Sequence, residues 1–271
     1  MRRPAVSGRF YPSSKDDLSE MIGWCLSHPL ASGASPSLSG RIRGAMVPHA
    51  GYVCSGPVAT KAFRAMSEDR NPDAYVIIGP DHHGVCPGSV LCSDSFLTPF
   101  GECRTHTGIC SGLAEHIPDE PRLHAYEHSI EVEVPFIQYF DLDARIVPVI
   151  MGDQSIPSAR MLADRISEAC DGYDVVVIAS TDLSHYVPNT VARSQADLVL
   201  ERICAMDPEG MVSVVRRNRV TMCGYGPTAV AMMCSEGCGA EVLCYADSFD
   251  TVGYDPDSVV GYASVAFAER R

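Results

Sequence analysis

Asp182, Ser184 and His185 follow the apolar run 175–179 within the stretch STDLSHY. A hydroxyl, a carboxylate and an imidazole close behind a buried strand could form an acid/base group. They could equally form a polar turn, with Asp182 capping a following helix. If a helix starts at Asp182, the spacing lets Asp182 and His185 meet across one turn, and the carboxylate would then orient the imidazole. Other polar clusters stand in like positions. His49 follows the run 44–48, and Asp81, His82 and His83 follow the run 74–80. Taken singly, a histidine at a strand end is most often a solvated or capping residue. Taken together, imidazoles with a carboxylate or thiolate suit a divalent metal, and a metal-free acid/base pocket also fits the spacing.

Two further stretches carry chemistry. In EHSIEVEVPF (127–136), a helix would put Glu127 and Glu131 on one face and make His128 a neighbour of Glu131. An extended chain would instead make a half-buried strand of alternating Ile130, Val132 and Val134, and a solvated charged face is a third reading. In TMCGYGPTAV (221–230), Cys223 lies in a Gly-rich turn before a helical run, where a helix N-terminus stabilises a thiolate. It is the least core-like of the twelve cysteines. None of those form a C-x-x-C pair, and Cys234 and Cys238 are the nearest two. Most read as small core hydrophobes of a reducing compartment.

The elements that must position these residues read as an α/β pattern. Strands are expected at 44–50, 74–84, 144–152, 174–180, 240–247 and 258–268. Helices are expected at 15–28, 55–66 (opened by a Ser cap and a Pro), 155–170, 189–205, 207–217 and 226–235. Helices of ten or more residues between strands imply crossovers and a largely parallel sheet, and the continuous apolar runs imply that both faces are covered. In such sheets ligands bind beyond the carboxyl ends of the strands, which is where His49, His82 and Asp182 fall. The segment 88–107 breaks the rhythm as a small extended excursion. The Pro/Gly/Ser-rich 29–41 reads as a loop, the best candidate for a flexible segment.

With 271 residues, the chain suits one large α/β domain or two small ones, and a single domain over 1–271, long enough to bury roughly three quarters of its unfolded surface, is the expectation. Apolar residues are 46% and charged residues 20%, a globular balance. The net charge of −13 argues against a nucleic-acid partner, because a phosphate backbone needs Lys and Arg to displace its counterions. No stretch reaches the ~18 apolar residues of a membrane span, and MRRPAVSGRFYP has no apolar run behind its charges. A cytoplasmic protein is the expectation.

VPHAGYVCSG, GPDHHG, EHSIEVEVPF, STDLSHY and CGYGP, in this order, resemble the Memo family, also known as the B component of the AmmeMemoRadiSam grouping. The opening RRPAVSGRFYP is similar to the start of that family. The likeness implies a fold like that of the class III extradiol dioxygenases: a single α/β domain whose central, mostly parallel sheet is flanked by helices. Those enzymes hold non-haem Fe(II) with two histidines and a carboxylate and use a further histidine as acid/base. On that pattern His49, His82 and Cys223 fall on the metal ligands, Cys223 replacing a glutamate. His185 falls on the acid/base residue with Asp182 beside it, and His83, Glu127, His128 and Glu131 surround the pocket. A thiolate softens such a site: Fe(II) remains the first expectation, with Cu or Zn as alternatives, and ring-cleaving chemistry does not transfer automatically. The resemblance implies metal-dependent redox chemistry on a small substrate. A non-enzymatic module that binds a peptide, small ligand or metal in the same pocket is the alternative. Gene association adds AMMECR1-like and radical-SAM components as possible partners.

Overall fold

The computed structural model describes residues 1–32 and 40–270, so most of the expected 29–41 loop lies outside the described residues. The elements run in the order α1 (Lys15–Ser27), β1 (Ile42–Val47), α2 (Tyr52–Asp69), β2 (Ala74–Pro80), β3 (Ser89–Leu91), β4 (Phe96–Thr98), β5 (Gly101–Thr105), α3 (Thr107–Ala114), α4 (Val134–Phe140), β6 (Arg145–Met151), α5 (Ile156–Ala169), β7 (Val175–Ser180), β8 (His185–Val187), α6 (Asn189–Cys204), α7 (Pro208–Arg217), α8 (Tyr225–Cys234), β9 (Cys238–Asp247), α9 (Ser248–Val252) and β10 (Val259–Glu269). The sheet order is β4-β5-β6-β2-β7-β1-β10-β8, with β3 on β6 and β9 on β10. From β5 through β1 every neighbouring pair is parallel.

Period-two alternation splits each central strand between two cores. Val76 and Ile78 of β2, Val147 and Val149 of β6 and Val177 and Ala179 of β7 face one side. There α3, α5, α6, α7 and α8 bring Ile109, Leu162, Val199, Val215 and Val230. Tyr75, Ile77, Ile146, Val176 and Ile178 face the other side, against Leu18 and Ile22 of α1, Phe63 of α2 and Phe136 of α4. All seven residues of β2 are buried, as a strand covered on both faces requires. The result is a three-layer α/β fold with a mostly parallel central sheet.

The departures from the sequence reading are local. The last strands are antiparallel: β10 runs against β1, β8 and β9. Between β9 and β10 lie only the short α9 and residues 253–258, less than the dozen or more residues that a parallel crossover takes. Helix α2 starts at Tyr52 rather than Ser55, with Gly51 at its N-cap and Pro57 inside the helix. The Ser55 hydroxyl bonds back to the Ala50 carbonyl. No helix begins at Asp182; residues 181–184 are irregular and α6 waits until Asn189, after Pro188. Residues 127–133 are neither helix nor strand but a chain of turns leading into α4.

Candidate metal centre

Parallel pairing brings three strand ends to one edge. Val47 at the end of β1 lies opposite Ser180 at the end of β7, and Ile78 near the end of β2 lies opposite Ala179. The residues just beyond, His49, His82 and Asp182, therefore share the carboxyl edge of the sheet. Cys223 arrives from the turn before α8. The turn passes so close to β7 that a Cβ on Gly224 would sit 2.6 Å from both the Ser180 carbonyl oxygen and the Thr181 Cβ. Only glycine fits there. Gln154 pins the turn from the far side, donating to the Cys223 carbonyl at 2.8 Å and accepting from the Gly226 amide at 2.8 Å.

The donor atoms of His49, His82 and Cys223 lie within 4.8 Å of one another. His49 Nε2 is 3.3 Å from Cys223 Sγ. Two ligands on one ion with bonds of roughly 2.0–2.3 Å stand about 3–3.6 Å apart, so this separation suits a shared metal. The thiol sulfur also accepts from the Asp182 amide at 3.2 Å. His49 is 2% exposed, and its Nδ1 meets Ser180 Oγ at 2.7 Å. His82 turns Nδ1 to Glu127 Oε1 at 2.9 Å. Each imidazole thus has one nitrogen engaged behind and one toward the cluster, the arrangement that orients histidine ligands.

The electrostatics divide the histidines. Burial, with His82 and His128 close by, holds His49 well below its ordinary pKa. Burial followed by repulsion from His82 lowers His128 to about 4. For His82 burial pulls down, but bonds to Cys223 and Glu127 outweigh it and push its pKa up to about 10. Glu127 is held well below the carboxylate range: its burial is overridden by His82 and by backbone amides. Its Oε1 takes amide bonds from His128 and Ser129, both at 2.8 Å, and its Oε2 takes the His82 amide at 2.8 Å. The His82–Glu127–His128 group also lies within 4.8 Å. Its carboxylate is already occupied by those protein donors and reads as a partner of the histidines.

A family model for Memo-like proteins matches residues 2–266. The chain belongs to the Memo family. A MEMO1 family protein of Ignicoccus hospitalis is 41% identical over 281 residues, covering 98% of each chain. One of Methanothermobacter thermautotrophicus is 41% identical over 98% of this chain and 100% of its own. One of Nitrosopumilus maritimus is 35% identical over 98% and 99%. Among solved structures, an uncharacterized Escherichia coli K12 protein matches with a TM-score of 0.54 at 17% identity, covering 83% of this chain and 99% of its own, a likeness of fold.

In this Memo chain His49, His82, Cys223, Glu127 and His128 gather around one point, while the other expected residues do not all join them. Asp182 is 4% exposed and does not bond to His185; its Oδ1 accepts the His49 amide at 2.9 Å, and the Ala50 amide also donates to it. Burial raises its pKa to about 6, against the nearby His185 and the two amides. The expected Asp182–His185 hydrogen bond is absent because the helix it required does not form. His185 is oriented instead by Thr221: its amide donates to Thr221 Oγ1 at 2.6 Å, and its Nδ1 donates to the Thr221 carbonyl at 2.8 Å. A carbonyl only accepts, so Nδ1 carries a proton in this bond. His83 is exposed, with Nε2 3.0 Å from the Tyr126 carbonyl. Glu131 faces away from the cluster: it pairs with Arg2 at 2.8 Å and accepts from the Ala5 and Val6 amides and the Tyr11 hydroxyl. Sequence reading missed Glu133, Ser129, Thr221 and Gln154 as neighbours of the site. Glu133 carried one usable signal, a lone acid inside the apolar run 132–137.

Proposed function

We propose that His49, His82 and Cys223 hold a divalent metal, Fe(II) before Cu or Zn, and that the centre serves redox chemistry on a small organic substrate. One observation carries this reading: three donors from three separate loops converge within 4.8 Å on one another at the carboxyl edge of the sheet. Two imidazole nitrogens and a thiol sulfur form a set that takes Fe(II) and, more than a carboxylate set would, Cu or Zn. Bound Fe(II) supplies a Lewis-acidic, redox-active centre. The chain supplies the rest. His185 offers Nε2 to accept a proton, with its tautomer set by the Thr221 carbonyl. Glu127 holds the His82 ring and the backbone around it. Asp182 fixes the His49 backbone, and its own amide donates to the Cys223 sulfur.

The test is metal content after anaerobic purification. Fe, Cu and Zn per chain are measured for the parent and for His49→Ala and Cys223→Ala. Losing a ligand should weaken binding by more than the roughly 10–100-fold that loss of an outer partner costs. Metal that persists in both variants overturns the assignment. An Fe(II)-loaded protein that neither consumes O₂ nor reacts with any catechol or other small reductant favours a pure binding role.

A further inference from the structure

Ser180 closes β7 with a hydroxyl that touches three groups at once. Its Oγ is 2.7 Å from His49 Nδ1, 2.7 Å from the Ser129 carbonyl and 2.8 Å from Glu133 Oε1. A serine hydroxyl has one proton to give and two lone pairs to fill. The Ser129 carbonyl can only accept, and among the described residues no other backbone amide or side chain donates to it. If the Ser180 proton goes to that carbonyl, the other two contacts are filled only when His49 Nδ1 and Glu133 Oε1 both donate. If Glu133 were ionised, one of the two short oxygen–oxygen contacts would hold no hydrogen.

The surroundings of Glu133 agree. It is 0% exposed, and its Oε2 has no hydrogen-bond partner. The groups acting on it are Ser180 and the carboxyl of Asp182, with no cation among them. Burial pushes its carboxyl well above the ordinary range; Ser180 opposes this and Asp182 adds to it. An isolated buried carboxylate normally neutralises instead of remaining charged.

We infer that Glu133 is stored as a neutral carboxylic acid and acts as a positioning residue. Through Ser180 it keeps the His49 proton on Nδ1, so that Nε2 stands bare toward Cys223. The functional consequence rests on the reading of His49 as a metal ligand; the protonation pattern does not. A neutral acid one hydroxyl behind the ligand adds no negative charge to the centre, whereas Glu127 behind His82 does. The two histidines would therefore be equivalent in geometry and unlike in charge.

The experiment compares the parent with Glu133→Gln and Ser180→Ala, all metal-free. Infrared spectroscopy of the parent, above the Asp182 titration range, should show a protonated-carboxyl C=O band that shifts in D₂O and is missing from Glu133→Gln. With ¹⁵N-histidine labelling, the His49 ring (assigned by its loss in His49→Ala) should be an Nδ1–H tautomer in the parent and in Glu133→Gln. It should become mixed in Ser180→Ala. Zn(II) competition should then give Glu133→Gln within about threefold of the parent, because its amide can donate as the acid did. Ser180→Ala should be roughly 10–100-fold weaker. A parent spectrum with no protonated-carboxyl band overturns the inference even if the variant does not fold. So does a Glu133→Gln protein that binds as weakly as Ser180→Ala, which would make Glu133 an anion. If no metal binds at all, the proposed centre fails while the infrared and tautomer results still decide this inference.

Discussion

The two ends of the central strands handle charge in opposite ways. At the amino end, where β1, β2 and β7 begin, Arg70 forks onto Asp174 with Nε at 2.7 Å and NH2 at 2.9 Å. It also donates to the Ile42 carbonyl at 2.8 Å. Arg41 joins Asp174, Asp69 joins Arg70, and Asp69 accepts the Ile42 amide. There each charge has an opposite partner. At the carboxyl end one such pair, His82 with Glu127, stands beside His49, Ser180 and Glu133, which are buried with no ion pair among them, and His49 and Cys223 turn donor atoms on each other. A fold that merely needed its ends closed would build both like the first. The second end gathers two imidazoles and a thiol within 4.8 Å of one another and buries Glu133 Oε2 without a partner, which is how a place for a ligand differs from a finished surface.

The first way to break this contrast lies just behind the site. Arg2 is 5% exposed and bonds the His124 carbonyl at 2.8 Å and the Glu127 carbonyl at 2.5 Å, while pairing with Glu131. It ties the start of the chain to the turns that carry Glu127 and His128. Arg2→Met strands Glu131 as a buried charge and should cost roughly 3–5 kcal/mol of unfolding free energy by urea titration. A loss under about 1 kcal/mol would mean that the loop carries itself.

Why some of this was legible and some was not follows from the range of the forces involved. The runs of β1, β2, β6 and β7 are local and continuously apolar, so their existence, and the edge on which His49 and His82 fall, could be read directly. Strand direction is not written in an apolar run: β9 and β10 looked like the others, and only the short connection 248–258 fits their antiparallel pairing. The turns at 127–133 defeated both periodic readings because Glu131 and Glu133 alternate with apolar residues there, yet Glu127, Glu131 and Glu133 are all buried. Their partners lie far off in sequence: Arg2 for Glu131, Ser180 for Glu133 and His82 for Glu127. The Asp182–His185 hydrogen bond failed in the same way, since Thr221, 36 residues away, holds the His185 ring instead of the neighbour Asp182. Local spacing finds residues that stand near each other along the chain; it does not find the counterpart that a buried polar group must have.

The second prediction uses acid. His124 is 1% exposed, its Nε2 donates to the Val90 carbonyl at 3.1 Å, and burial lowers its pKa to about 4. The fold holds it neutral, so its contribution is complete above the unfolded value of about 6.5. It falls as pH drops toward 4, because the unfolded chain binds the proton first. That window is worth on the order of 3 kcal/mol. His124→Gln keeps a donor for Val90 and does not titrate, so the parent should lose this much more stability than the variant between about pH 7 and about pH 4. Equal losses would show that His124 gains its proton without disturbing the fold.

The smallest expected effect tests the comparison itself. Arg70→Ala removes the fork on Asp174 and leaves Asp69 without its cation, at sites that are half-buried, so stability should fall by about 2 kcal/mol. Arg70→Lys should recover less than half of this, because an ammonium cannot reproduce two parallel bonds to one carboxylate. Zn(II) affinity should be unchanged in both, since Arg70 acts at the start of β1 and β7 and the cluster stands beyond their far ends. If Arg70→Ala weakens metal binding as much as loss of Ser180 does, the ends are coupled through β7. The paired end would then have to be counted as part of the site and not as the closed half of a strand whose open half does the chemistry.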